Sequence, residues 1–281
     1  MVVVRWIVCM IFVWVGTVAL AAPVVFQQAG ANTAAIQSTV DGFRAVLGSL
    51  NANVAGSFAS GRREINWDGV PNTLSAPNNL PGNFFNANSP RGVELTTPGT
   101  GFQVSANSGI APVEFGNIDA AYPSLFAPFS AQRLFTALGS NITDVAFFVP
   151  GSGIAALTNA FGVVFSDVDL ANTTSLQFFD AANNSLGSFF APSATGNETF
   201  SFLGVQFTEG NVVSRVRITS GNQVLSAGDT ANDLVAMDDF IYGEPVHRVP
   251  EPTTLWLLVV GALAGWGACA RRHQPACVSA D

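Results

Sequence analysis

The stretch TFSFLGVQFTEGNVVSRVRIT, residues 199–219, consists of two short apolar runs rich in aromatic and β-branched residues, broken at Gly210-Asn211. In the second run Val213, Arg215, Arg217 and Thr219 share one parity, and Val216 and Ile218 share the other. A period of two is the mark of a half-buried strand. The same texture extends outward from Arg62 to Tyr242, as short runs separated by Gly, Asn, Pro and Ser. It predicts strands at Glu64–Trp67, Val93–Thr97, Phe102–Ala106, Val113–Asn117, Arg133–Ala137, Val145–Val149, Phe161–Val168, Ser175–Phe179, Gly187–Phe190, Thr199–Phe207, Val213–Thr219 and Leu234–Tyr242. Run starts about 8–15 residues apart, with no long helical pattern between them, predict an all-β antiparallel sandwich over 62–243 rather than a βαβ fold. The 23 phenylalanines against two tyrosines suit a dry core between two sheets. Gly69 to Pro90, rich in Pro and Asn, reads as an irregular excursion over a sheet. No internal repeat and no second composition boundary divide this region.

Ahead of the sandwich, residues 22–61 read as a helix and a linker. Ile36, Val40, Phe43 and Leu47 make one apolar stripe at helical spacing, with Asn32 or Thr33 as N-cap and Gly48 as terminator. The expectation is a short amphipathic helix packed on the edge of the main domain.

Both ends of the chain are apolar. In residues 1–21, Arg5 precedes an apolar run, and Ala19-Leu20-Ala21 forms a small-x-small cleavage site, the pattern of a secretory signal. At the other end, within 244–281, Pro250-Glu251-Pro252 precedes an apolar segment at 255–270, and Arg271-Arg272 follows at once. The segment is slightly shorter than the ~20 residues of a comfortable transmembrane helix, and the arginine pair favours a cytoplasmic C-terminus with the body outside. This order of motif, helix and arginine pair resembles the PEP-CTERM sorting signal. The resemblance implies processing by the membrane protease exosortase near Pro250-Glu251-Pro252, transient anchoring in the inner membrane, and delivery to the cell surface or the exopolysaccharide matrix. The segment 273–281 departs from it, being longer than such tails usually are. Phe202-Leu203-Gly204-Val205 and Asp238-Asp239-Phe240-Ile241-Tyr242 are similar to β-rich PEP-CTERM proteins and to the final strands of jelly-roll carbohydrate-binding modules, which implies a jelly-roll-like sandwich.

Charge and residue usage exclude several functions. Between Ala22 and Arg248 there are 17 acidic side chains and 8 arginines, and the chain has no lysine, so no basic stripe exists to hold a nucleic acid backbone. Cys9, Cys269 and Cys277 lie in the terminal segments, and His247 and His273 flank the apolar tail. The body therefore has no disulfide, thiolate metal site, cysteine nucleophile or Ser/His/Asp set.

Oxygen chemistry is what remains. Asp238 and Asp239 are adjacent in an apolar strand, so one of them is expected to point inward whatever the register. Two readings stand: a structural Ca2+, or pairing with loop amides or with Arg215 or Arg217. Asp167 and Asp169 share one face and form a second calcium candidate, against an exposed strand end before a turn. Trp67 between Asn66 and Asp68 is either an exposed platform for a sugar ring or a core tryptophan at a strand end. The leading expectation is a non-enzymatic surface or matrix protein that recognises polysaccharide. The alternative is a secreted hydrolase of glycans using paired carboxylates, Glu64 with Asp68 or Glu94 with Glu114.

Overall fold

The computed structural model describes residues 22–107, 113–229 and 232–247. The expected signal at 1–21 and the sorting elements Pro250, Glu251, Pro252, the 255–270 helix, Arg271 and Arg272 lie outside these. Among the described residues no helix is long and apolar enough to cross a membrane.

Period-two alternation becomes strand wherever one side chain in two has a partner sheet to face. The strands are β1 (Val24–Gly30), β2 (Arg62–Ile65), β3 (Val93–Thr96), β4 (Gly101–Val104), β5 (Phe135–Leu138), β6 (Ile142–Phe147) and β7 (Ala156–Leu157). They continue as β8 (Ala160–Ser166), β9 (Ser175–Phe179), β10 (Ser185–Phe190), β11 (Phe200–Gln206), β12 (Arg215–Thr219), β13 (Ala236–Gly243) and β14 (Val246–His247). Helix α1 spans Thr33–Leu47 and a single turn, α2, spans Phe84–Ala87. The larger antiparallel sheet runs β1-β11-β8-β13-β5-β4, with β2 also paired to β13; the smaller runs β10-β9-β12-β6-β3. Val216 and Ile218 of β12, Val145 of β6 and Phe178 of β9 meet Phe161, Val163, Leu203 and Phe240 of the larger sheet in one buried core, which makes the fold an antiparallel sandwich.

Strand β8 does not alternate in burial: all of its residues are buried. Its odd positions, Phe161, Val163 and Phe165, face the inter-sheet core. Its even positions Ala160 and Val164 face Ile36, Val40, Phe43 and Leu47 of α1. The helix thus covers the outer face of the larger sheet, and the expected position on the domain edge is corrected. The reason lies in Gly162 and Gly204, paired across β8 and β11, which have no side chain and leave a seat for the Phe43 ring. The expected cap is present: Asn32 accepts from the Ala35 amide, and Gly48 ends the helix at φ 87°.

Three expectations are revised. Residues 24–30, read as linker, form the edge strand β1 on β11. Val113–Asn117 is a turn, with Glu114 and Phe115 at φ 49° and 64° and Phe115 buried in a third apolar cluster with Tyr122 and Phe126. The 69–90 excursion drives Val70, Leu80, Phe84 and Phe85 into the main core, closing the sandwich rather than lying over it.

Candidate functional site

Strand β13 carries the first acidic candidate. Its pairing with β8 shifts between Met237 and Phe240, so Asp238 and Asp239 together oppose the single residue Val164. This β-bulge cancels the expected alternation. Both aspartates are buried, and the Ser130 hydroxyl lies 3.2 Å from Asp238 Oδ1 and 2.7 Å from Asp239 Oδ1. Asp238 Oδ2 accepts from the amides of Phe129 and Ser130, and Asp239 Oδ2 accepts from Arg44 Nη2 at 2.9 Å. Burial, then the neighbouring Asp239 charge, holds the Asp238 carboxyl well above the usual carboxylate range. Burial raises Asp239 as well, against the opposing pull of Ser130 and Arg44. The two Oδ2 atoms thus have protein donors of their own, and the single Ser130 hydroxyl proton is shared between the two Oδ1 atoms, an arrangement of the pairing kind. The expected partners were misplaced. Arg215 and Arg217 both bind Asp144 on the opposite sheet, while the cation at Asp239 is Arg44, 195 residues away in the chain.

Trp67 is 1% exposed. Its ring stacks on Phe135 at 4.0 Å between centroids, and its indole N–H donates to the Asp238 carbonyl at 2.8 Å. A buried ring, stacked on Phe135 and hydrogen-bonded through its N–H, has no surface to offer a sugar, so the platform reading of Trp67 is corrected. Strand β2 stops at Ile65, and Trp67 at φ 66° turns its side chain inward. Asn66 remains exposed and donates to Asp68 at 3.3 Å, while burial raises the Asp68 carboxyl.

Asn66 lines a cleft of about 310 Å³ between α1, β2 and the bulge, shared with Arg44, Glu64, Arg91, Ser130 and Asp239. Glu64 is clamped there, accepting from Arg44 Nε at 3.1 Å, Arg44 Nη2 at 3.0 Å and Arg62 Nε at 2.6 Å. Arg91 stands over the Phe85 ring, and its buried Nε has no hydrogen-bond partner. Glu94, the other proposed acid, accepts from Asn86 at 2.8 Å. The sequence reading missed Arg44 and Arg91 because neither has a local signal: Arg44, on an amphipathic helix, reads as solvated surface, and Arg91 sits between elements, just past a Pro- and Asn-rich stretch.

The second acidic candidate lies at the end of β8. Asp167 is 2% exposed, sits at φ 71°, and its Oδ1 is buried with no hydrogen-bond partner. Burial, then the charges of Asp169 and Asp233, pushes its carboxyl up to about 8. Asp169 accepts from the Gly196 amide at 3.1 Å. Both aspartates line a pocket of about 360 Å³ with Asp119, Asn197, Asp229 and Asn232.

Three comparisons with known proteins bear on the chain. Residues 248–272 match the family model described as the PEP-CTERM protein-sorting motif. The motif marks an exported, exosortase-sorted protein whose membrane-anchored precursor is sorted to the cell surface. No curated protein matches the chain. Among solved structures, a glycoside hydrolase family 43 arabinoxylan arabinofuranohydrolase from Bacillus subtilis aligns at 15% identity and TM-score 0.26, over 52% of this chain and 24% of its own. The enzymatically active domain of tailspike protein 4 from bacteriophage CBA120 aligns at 12% identity and TM-score 0.26, over 59% of this chain and 21% of its own. The chain thus spans about a quarter of each, and likenesses at this level assign neither activity nor substrate.

Proposed function

We propose that the folded body of this PEP-CTERM protein is a non-enzymatic module displayed at the cell surface or in the exopolysaccharide matrix, where it contacts polysaccharide through the cleft beside α1. The observation that carries this reading is the convergence on that cleft of polar side chains, the exposed Asn66 amide and the Arg91 guanidinium held over the Phe85 ring. Sugar hydroxyls are recognised by a few fixed donors and acceptors next to apolar surface, and half-exposed Leu50 supplies that surface here. The clamped state of Glu64 weighs against the hydrolase alternative. A general acid must be free to reach its substrate, whereas both Glu64 oxygens are already taken up by guanidinium N–H groups of Arg44 and Arg62.

The test is binding to an array of bacterial polysaccharides alongside a reducing-sugar assay. Binding without sugar release is expected, weakened at least tenfold by Asn66→Ala or Arg91→Met while the melting temperature stays within a few degrees. Binding that ignores both changes would place the contact elsewhere. Sugar release that stops with Glu64→Gln would make the chain a hydrolase.

A further inference from the structure

The pocket at the end of β8 shares no lining residue with the cleft beside α1, and its chemistry is different. Four aspartates, Asp119, Asp167, Asp169 and Asp229, line it with the amides of Asn197 and Asn232, and neither arginine nor histidine is among the lining residues. Most of these groups have a partner. Asp119 accepts from the amides of Ala121 and Gly228, both at 2.7–2.8 Å. Asp229 accepts from Asn232 Nδ2 at 2.9 and 3.1 Å, and Asn197 Nδ2 donates to the Ser124 carbonyl. Asp233, just behind, is also engaged, by the Asp169 amide and the Thr173 hydroxyl. Asp167 is the exception. It is only 2% exposed, yet its Oδ1 meets no donor from the protein. A buried carboxylate oxygen without a partner is costly in a folded protein, and here the surrounding charges are all negative, so no side chain relieves it.

From this we infer that the pocket is a divalent-cation site in which Asp167 and Asp169 supply the charged ligands, with calcium as the ion. Nitrogen and sulfur ligands are lacking, which argues against zinc and copper, whereas calcium accepts carboxylate, amide and carbonyl oxygens in flexible geometry. Among the described residues no three carboxylates converge into a ready-made cage. The coordination sphere is therefore completed by the amide oxygens of Asn197 and Asn232 and by water, while Asp119 and Asp229 contribute long-range attraction. Two charged ligands and an open mouth suit the weak end of calcium affinity, a dissociation constant on the order of 0.1–1 mM, matched to a protein that works outside the cell.

The experiment uses the full-length chain in detergent, stripped with chelator and returned to constant ionic strength so that general screening of the acidic body is held fixed. Calcium chloride at about 10 mM should raise the melting temperature by roughly 3–10 °C. Asp167→Asn should lose that rise, and Asp169→Asn serves as the second variant should the first fail to fold. Tyr122 lines the same pocket, so terbium bound there should emit on tyrosine excitation, and Tyr122→Phe should remove the emission while keeping the calcium-induced rise. A wild-type melting temperature indifferent to calcium, a rise preserved in both aspartate variants, or terbium emission undiminished by Tyr122→Phe would overturn the assignment.

Discussion

At Trp67 the choice between a binding residue and a core residue turns on what surrounds one ring. Stacking on Phe135, T-shaped contacts with Phe85 and Phe240, and an indole hydrogen bond to the bulged strand enclose it. Trp67→Ala should therefore lower stability by about 3–5 kcal/mol in urea denaturation. A variant of native stability that has lost polysaccharide binding would return Trp67 to the surface. Residue-level chemistry also predicts a pH dependence at Asp238. Its carboxyl is raised in the folded state by burial and then by Asp239, so the folded chain keeps a proton that the unfolded chain releases near pH ~4. That contribution is complete below the unfolded value and is lost as pH rises toward the folded one. Stability should fall as pH climbs from about 4 toward neutrality, and the difference between the wild type and Asp238→Asn, measured across that window, should show the decline reduced in the variant. Equal slopes in the two proteins would mean that Asp238 titrates normally. The existence of an inward-facing acid was readable from the apolar run around it. That both acids turn inward was not, because a bulge is a property of strand pairing with β8 and leaves no local mark.

Among the elements, α1 was the most legible, since its stripe, its cap and its terminator are local features that the packed structure keeps. Its seat was not legible, because the two glycines that form it belong to β8 and β11, far along the chain. A Cβ on Gly162 would come 2.9 Å from a Phe43 ring carbon and 3.0 Å from the Gly204 Cα. Gly162→Ala should thus cost about 1–3 kcal/mol as overpacking. Because part of that clash is with the Phe43 ring, the effects of Gly162→Ala and Phe43→Ala should be non-additive by at least about 0.5 kcal/mol in a double-mutant cycle. Strict additivity would separate α1 from the glycine pair. Strand β1 escaped notice for a related reason. Its sequence, VVFQQAG, lacks clean alternation, and it is a strand because the edge of β11 accepts it along its whole length.

Taken whole, the molecule joins a packed sandwich to a sorting signal with no described spacer. The final strand, β14, ends at His247 and pairs with β7, and the sorting-motif match begins at the next residue. Just before that strand, Glu244 forms a buried ion pair with Arg63, Nε to Oε2 at 2.7 Å and Nη2 to Oε1 at 2.8 Å, and Arg63 further donates to the carbonyls of Ala52, Gly56 and Pro90. The fold is thus pinned by side chains up to the point where the signal takes over, so cutting the signal near Pro250-Glu251-Pro252 removes none of the described strands. Two outcomes follow from this arrangement. Glu244→Gln leaves the Arg63 guanidinium buried without its counter-charge and should lower stability by about 3–5 kcal/mol, read by denaturant titration. Removal of the tail, by contrast, should leave stability unchanged, so that processing is a change of address and not of fold. In a host with exosortase, mass spectrometry of the extracellular protein should find C-terminal peptides ending close to Pro252, with a melting temperature equal to that of the unprocessed chain in detergent. Extracellular peptides that run through to Arg271 would show that the motif is not cut, and a processed form that melts well below its precursor would show that the tail takes part in the fold.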